Sequence, residues 1–377
     1  MGHTGSTTAT RIVELELIRL RPPGRARRGA GEGPVLVRIG DGEGVSGWGE
    51  VPWATPGQWA ELRSAYAPAL LDHAWARPTE AGAAWAALPW DPALAAALDT
   101  ACWDLWSRQR GTPLAHALGG ERTALTAGVT VPRTVSVETL IIEVNRQVGA
   151  GFRRVRLEIA PGWDTEVVHA VRSRFPFLVL QADAGGRYLE SQERHLEALV
   201  ALDGLGLLAV EDPFAPGDLG AYARLAAELR TPVAVGRPLN SLEDLGRAVE
   251  AEAGSAVNVD VSRLGGLTPA RRAVDLAVDA GWKVWCGSSA ATGVGRAATV
   301  ALAALSGASL PVEMPGAGNR GRDGLVAPPV RAHEGVVPIP LAESGLGHGV
   351  DRAAVAERTE EALLVDSSGT REAARDR

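Results

Sequence analysis

The sequence predicts an α/β protein: a closed (β/α)7β barrel of eight parallel strands, TIM-like, with an α+β N-terminal capping domain. Three observations predict it. From about Leu125 onward, short β-type runs alternate with amphipathic helical segments of ten to fifteen residues. The first 120 residues follow a different rhythm, a β meander and then an Ala-rich helical stretch. No Gly-x-Gly-x-x-Gly turn follows the first strand, which counts against a dinucleotide fold and leaves no nucleotide cofactor expected.

Residues 1–10 read as a disordered leader. Ile12, Leu15, Leu17 and Leu20 alternate with polar residues over 11–20 and predict a strand. A loop rich in Arg21, Arg25, Arg27 and Arg28 follows. Val35 to Ile39 and Val45 to Glu50, around a Gly-Asp-Gly turn, complete the meander. Between Gln58 and Leu118 the chain is helical, and Leu94, Leu98, Cys102 and Leu105 mark a buried stripe. The barrel strands are predicted at 125–131, 153–159, 177–183, 206–211, 232–236, 256–260, 283–287 and 309–314. Helices lie between them, and a strand-then-helix segment follows at 334–357. The capping domain is therefore placed at 11–124, completed by a returning segment near 325–358, and the barrel at 125–324. Residues 359–377, charged and poor in aromatics, are expected to be a disordered tail.

Composition narrows the function. A chain of 377 residues with a formal net charge of −7 offers no basic face for nucleic acid. No apolar run approaches the roughly 20 residues of a membrane span. Two distant cysteines and no basic-then-apolar leader favour the cytoplasm. Of 38 basic residues only Lys283 is a lysine. Arginine stays protonated and is a poor general base, so a mechanism needing two lysine bases is excluded by counting.

Barrel chemistry sits at the C-terminal ends of the strands. There the sequence places Arg154, Arg156 and Glu158 (strand two), Asp183 (strand three), Glu211 and Asp212 (strand four), Gly236 and Arg237 (strand five), Asn258 and Asp260 (strand six) and Ser288 (after strand seven). Single acids at such tips can be helix N-caps, and Asp183 and Asp212 are the best candidates for that role. An Arg–Glu bridge inside the barrel is the ordinary structural reading of Glu158. Acids at four of five successive tips point to a site. His73, His116, His169 and His195 fall in helical segments and read as surface or packing residues. Lys283 begins strand seven, at the far end from the mouth.

With these tips in view, the chain resembles the enolase superfamily, muconate-lactonizing subgroup, and within it the o-succinylbenzoate synthase/N-succinylamino acid racemase family. The matching stretches are Gly47-Trp48-Gly49-Glu50, Trp103-Asp104-Leu105, Arg156 to Asp164, Asp183-Ala184 and Glu211-Asp212-Pro213. They continue through Asn258-Val259-Asp260, Arg263 to Leu267, Val284 to Gly287, Thr292 to Arg296 and Gly345-Leu346-Gly347. The resemblance implies proton abstraction α to a carboxylate, Mg²⁺ held by three strand-tip carboxylates, lysines on strands two and six, a small anionic carboxylate substrate and a possible homo-oligomer. Carried over residue by residue, Asp183 and Glu211 match two metal ligands. The third falls on Gly236, with Arg237 after it; the two strand-two lysines fall on Arg156 and Glu158, and the strand-six lysine on Asp260. A glutamate usual before the Thr-Gly of strand seven is Ala291.

Two readings of the incomplete magnesium site stand side by side. In one, the Arg237 guanidinium takes the cation's place and pairs with Asp183 and Glu211. In the other, Glu158 joins Asp183 and Glu211 as a third oxygen ligand. In either case Glu158 and Asp260 are the candidate catalytic acid/base pair across the mouth. Arg156, Arg237, Asn258, Ser288, Arg25 and Trp53 are candidate substrate-binding residues, with Trp59 another possible wall. The competing class is a protein that has lost catalysis and keeps a binding or complex-forming role.

Overall fold

Three strands buried along nearly their whole length build an antiparallel cap sheet: β1 (Glu14–Leu20), β2 (Gly33–Gly40) and β3 (Ser46–Ala54). The computed structural model describes residues 9–22, 32–287, 291–318, 324–366 and 369–372. One face of the sheet packs on the helix Pro92–Gln109, whose Leu94, Leu98, Cys102 and Leu105 form the predicted stripe. Contact is close because β3 carries Gly49. A Cβ there would lie 1.8 Å from the carbonyl oxygen of Ala97.

Residues expected to be a frayed tail are instead part of this sheet. The strand Thr359–Asp366 pairs antiparallel with β1, and Gly369–Glu372 pairs with it in turn. Leu363 and Val365 alternate into the cap core, and this apolar pair outweighs the charge around it. The returning segment therefore runs past 358.

The barrel strands follow as expected: β4 (Ala124–Val131), β5 (Arg154–Glu158), β6 (Val179–Asp183), β7 (Val210–Glu211), β8 (Val233–Val235), β9 (Ala256–Val259), β10 (Lys283–Cys286) and β11 (Val312–Glu313). They form a parallel sheet in the order β10-β9-β8-β7-β6-β5-β4-β11, and Leu310 N–H donates to Val284 O across the remaining seam. Low in the barrel, Trp285 is packed by the alanines 209, 234 and 256, so the interior is filled beneath the mouth. Cys102 and Cys286 are buried free thiols. No helix among the described residues is long and apolar enough to cross a membrane.

Buried carboxylates dock the cap on the barrel. Glu50 accepts from Thr292 N at 2.6 Å, Thr292 Oγ1 at 2.6 Å and Gly295 N at 2.7 Å, capping the helix Gly293–Ala303 from the other domain. Asp104 accepts from Trp48 N at 2.9 Å and Leu346 N at 2.7 Å, and pairs with Arg108 at 2.9 Å. Asp99 accepts from Thr268 N at 3.0 Å at the start of the helix Leu267–Asp279, beside the Trp103–Thr268 bond of 2.9 Å. Burial pushes the Asp99 carboxyl up to about 7.

Two outcomes follow from this docking. Glu50→Ala strands three donors at the interface and lowers stability by about 3 kcal/mol in urea unfolding, whereas Glu50→Gln loses less. For Asp99, a folded value raised from 3.8 to about 7 means the proton is held more tightly in the folded state. The group therefore opposes folding increasingly as pH rises between those values, and acidification relieves it. Asp99→Asn keeps an acceptor without the charge. It raises Tm at pH 8 and flattens the stability gain between pH 8 and 5; an unchanged pH slope contradicts this assignment.

Candidate functional site

Alternation along β5 turns Arg154 and Arg156 into the barrel, where both are almost fully buried. A buried guanidinium is tolerated only when paired. Arg154 meets Glu313 at 2.7 Å and donates to Pro311 O at 3.0 Å. One layer nearer the mouth, Arg156 donates Nε to Thr130 Oγ1 at 2.8 Å and an η nitrogen to Glu211 Oε2 at 2.6 Å. The same η nitrogen lies 3.6 Å from Asp183 Oδ2, and its Nε lies 3.9 Å from Glu313. Gln181 (3.0 Å) and Asn258 (3.2 Å) complete the donors to Glu211.

Arg156, not Arg237, is thus the cation among the strand-tip acids. Arg237 stands on the loop beyond β8, its side chain 51% exposed, and its nearest ion-pair contact is Asp212 at 3.8 Å. A residue inside a strand is aimed by the pleat; one past the strand end is free to turn outward. Asp212, at a left-handed φ of 47°, accepts the N–H groups of Gly236 (2.9 Å) and Arg237 (2.9 Å). It clamps the end of β8 rather than capping a helix.

The position of the third metal ligand carries no side chain and is tightly flanked. A Cβ on Gly236 would lie 3.2 Å from each of Glu211 Oε1, Asp212 Oδ2 and Asn258 Cβ. No group of three His, Cys, Asp or Glu side chains among the described residues gathers at metal-binding spacing, so Glu158, Asp183 and Glu211 do not form the alternative set. Two carboxylates already engaged by a guanidinium, with no side chain at the third position, do not fit Mg²⁺. Burial raises both Asp183 and Glu211, and Arg156 draws both back down. The carboxylates in turn hold Arg156 firmly protonated against its burial.

The proposed acid/base pair is not brought together. Asp260 is the N-cap of the short helix Val261–Leu264, with Oδ1 accepting from Ser262 N (2.9 Å) and Ser262 Oγ (2.7 Å). It lines a mouth cavity of 170 Å³ together with Arg156, Asp183, Glu211, Arg237 and Asn258. Burial raises its carboxyl above the ordinary range, and the Ser262 bonds oppose that. Glu158 ends β5 in register with Asp183 and is not in that cavity wall. Among the described residues its side chain makes no hydrogen bond or ion pair. The bridge expected of Glu158 is made instead by Arg156 with Glu211 and by Arg154 with Glu313.

Trp53 is half-buried on β3, donates to Glu32 at 3.3 Å and is not in the cavity wall, while Trp59 is buried in the cap core. Arg25 and Ser288 lie outside the described residues. Lys283 starts β10 at the opposite barrel end, as expected. Sequence reasoning missed Glu313 and Thr130. The signal for Glu313 was a lone charge between Val312 and Met314 at the tip of the last strand.

A parallel eight-stranded barrel roofed by an α+β cap, with its polar residues converging on the strand tips, defines a cap-and-barrel protein of the enolase type. Two family descriptions match: "Mandelate racemase / muconate lactonizing enzyme, N-terminal domain" over 10–119 and "Enolase C-terminal domain-like" over 140–354. An o-succinylbenzoate synthase of Geobacillus kaustophilus is 34% identical, covering 89% of this chain and 91% of that one. An N-succinylamino acid racemase of Thermus thermophilus is 36% identical over 77% of each. A crystal structure of an enolase-superfamily member from Listeria innocua superposes with a TM-score of 0.87 at 27% identity, covering 95% of this chain and 99% of that one. The chain belongs to the enolase superfamily, among the o-succinylbenzoate synthase and N-succinylamino acid racemase-like proteins.

The two arginine assignments separate in unfolding experiments. Arg156→Met leaves buried carboxylates uncompensated and costs about 3–5 kcal/mol. Adding Glu211→Gln recovers part of that loss, a coupling that a double-mutant cycle reads directly. Arg237→Ala, at a half-exposed side chain, costs less than about 0.5 kcal/mol.

Proposed function

We propose that this chain is a metal-independent member of its family, a cytoplasmic protein whose barrel mouth binds a small carboxylate-bearing molecule without carrying out the family's proton abstraction. The observation that carries this reading is the 2.6 Å pairing of Arg156 with Glu211, beside Asp183 and above a glycine in the third-ligand position. Abstraction α to a carboxylate needs a charge that stabilises the enediolate and a base with a pKa near neutrality. Here the internal cation is already committed to two carboxylates. The positions of the bases hold the carboxylates Glu158 and Asp260 in place of amines. Relatives named for synthase and racemase activities support a small carboxylate as the ligand class.

A second reading keeps catalysis, with Asp260 and Glu158 as carboxylate acid and base of an isomerase or lyase. The observation favouring it is that Asp260 lines the cavity and its proton is held above the ordinary carboxylate range. Such a group can protonate a leaving oxygen without a metal.

The test is proton exchange. N-succinyl amino acids incubated with the protein in deuterium oxide and Mg²⁺ are followed by NMR at the α-position, alongside an assay for o-succinylbenzoate formation. The binding reading predicts no exchange and no product above the uncatalysed rate. Exchange that depends on Mg²⁺ would refute it, whereas metal-independent elimination abolished by Asp260→Asn would establish the second reading in its place.

A further inference from the structure

The mouth cavity carries more negative than positive charge. Five carboxylates and three guanidinium groups line it. Arg263 turns its guanidinium to the backbone of Arg237 and Leu239 and to Asn240, and Arg237 is half exposed at the rim. That leaves Arg156 as the inner guanidinium of the wall.

Within this wall, three acceptor oxygens lack a hydrogen-bond donor among the described residues: Asp183 Oδ1, Asn258 Oδ1 and Glu313 Oε2, the last ion-paired with Arg154 at 2.7 Å. Asp183 is only 5% exposed. Asn258 spends its amide N–H on Glu211, which fixes its amide and leaves the buried Oδ1 without a donor. A buried carboxylate oxygen without a donor costs on the order of 1–3 kcal/mol or more, so such an atom in a cavity wall marks where a donor belongs. The absence of a ligating side chain at Gly236 and the neighbouring guanidinium of Arg156 disfavour a divalent cation there. A protonated amine supplies several N–H donors and one positive charge, the chemical complement of a donor-less carboxylate oxygen and a donor-less amide oxygen. At the outer end, the exposed Arg237 offers a fork for a carboxylate.

We propose that this cavity takes a small zwitterion, with its ammonium group on Asp183 and Asn258 and its carboxylate on Arg237. The proposal rests on the metal-free binding reading above and names the ligand class for it: an amine-bearing carboxylate rather than a dicarboxylate.

Calorimetric titration of the full-length, metal-free protein uses 4-aminobutyrate, succinate, n-butylamine and Mg²⁺ alone. The expected result is that 4-aminobutyrate binds at one site at least tenfold more tightly than succinate. Asp183→Asn, checked for folding by circular dichroism, weakens that binding at least tenfold. Should Asp183→Asn fail to fold, Arg237→Ala decides: it weakens 4-aminobutyrate several-fold and leaves n-butylamine unchanged. Succinate binding as tightly as 4-aminobutyrate, or no binding of 4-aminobutyrate, overturns the zwitterion assignment alone. Asp183-dependent binding of Mg²⁺ by itself overturns both that assignment and the metal-free reading.

Discussion

A closed barrel brings its strand tips together whatever they carry, and here it brings carboxylates. Asp183 and Glu211 end neighbouring strands in direct register, and Glu313 closes the ring from β11. Buried so near one another, these charges repel and lose hydration unless a cation stands among them. The Arg156 guanidinium is that cation. It is held in a planar, hydrogen-bonded frame by Thr130 and Glu211, and a second pair, Arg154 with Glu313, supports it from below. Gly236 lets the acids of β7 approach the space where a third ligand would otherwise stand. Every other statement about the mouth, from its poor fit to Mg²⁺ to its surplus acceptors, depends on this pairing.

The cap is attached by related means. Glu50 and Asp99 are buried carboxylates whose main partners across the domain boundary are backbone N–H groups rather than a guanidinium, and Asp104 binds the returning segment through Leu346 N–H. Two of them sit at helix starts, where unsatisfied N–H groups and the helix dipole both favour an anion. The stretches Gly47 to Glu50 and Trp103 to Leu105 carry Glu50 and Asp104, and Gly345 to Gly347 carries the N–H that Asp104 accepts. They hold the cap on the barrel, and that requirement is independent of what the mouth does.

Much of the architecture was legible because period-two and helical periodicities are read from single segments. Seven of the eight barrel strands lie within their expected spans and β4 begins one residue early, and the inward direction of Arg154 and Arg156 followed from alternation along β5. The choice between Arg156 and Arg237 was not legible, since it depends on the difference between a side chain aimed by a strand and one released by a loop. Asp260 read as a catalytic group because spacing cannot reveal that Ser262, two residues on, turns its carboxylate into a helix cap. The last strand of the cap sheet was hidden by its charged setting, although Leu363 and Val365 carry the alternation. Glu313 was visible to the same rule that found the other tips.

The most direct measurement of the central claim is Mn²⁺ titration followed by electron paramagnetic resonance, in which only unbound aqueous Mn²⁺ gives the sharp signal. If Arg156 is the resident cation of the barrel mouth, full-length wild-type protein leaves the signal at its protein-free intensity through one equivalent. Stoichiometric loss of signal in wild type, abolished by Asp183→Asn, would show that a metal displaces the guanidinium, and would contradict the account.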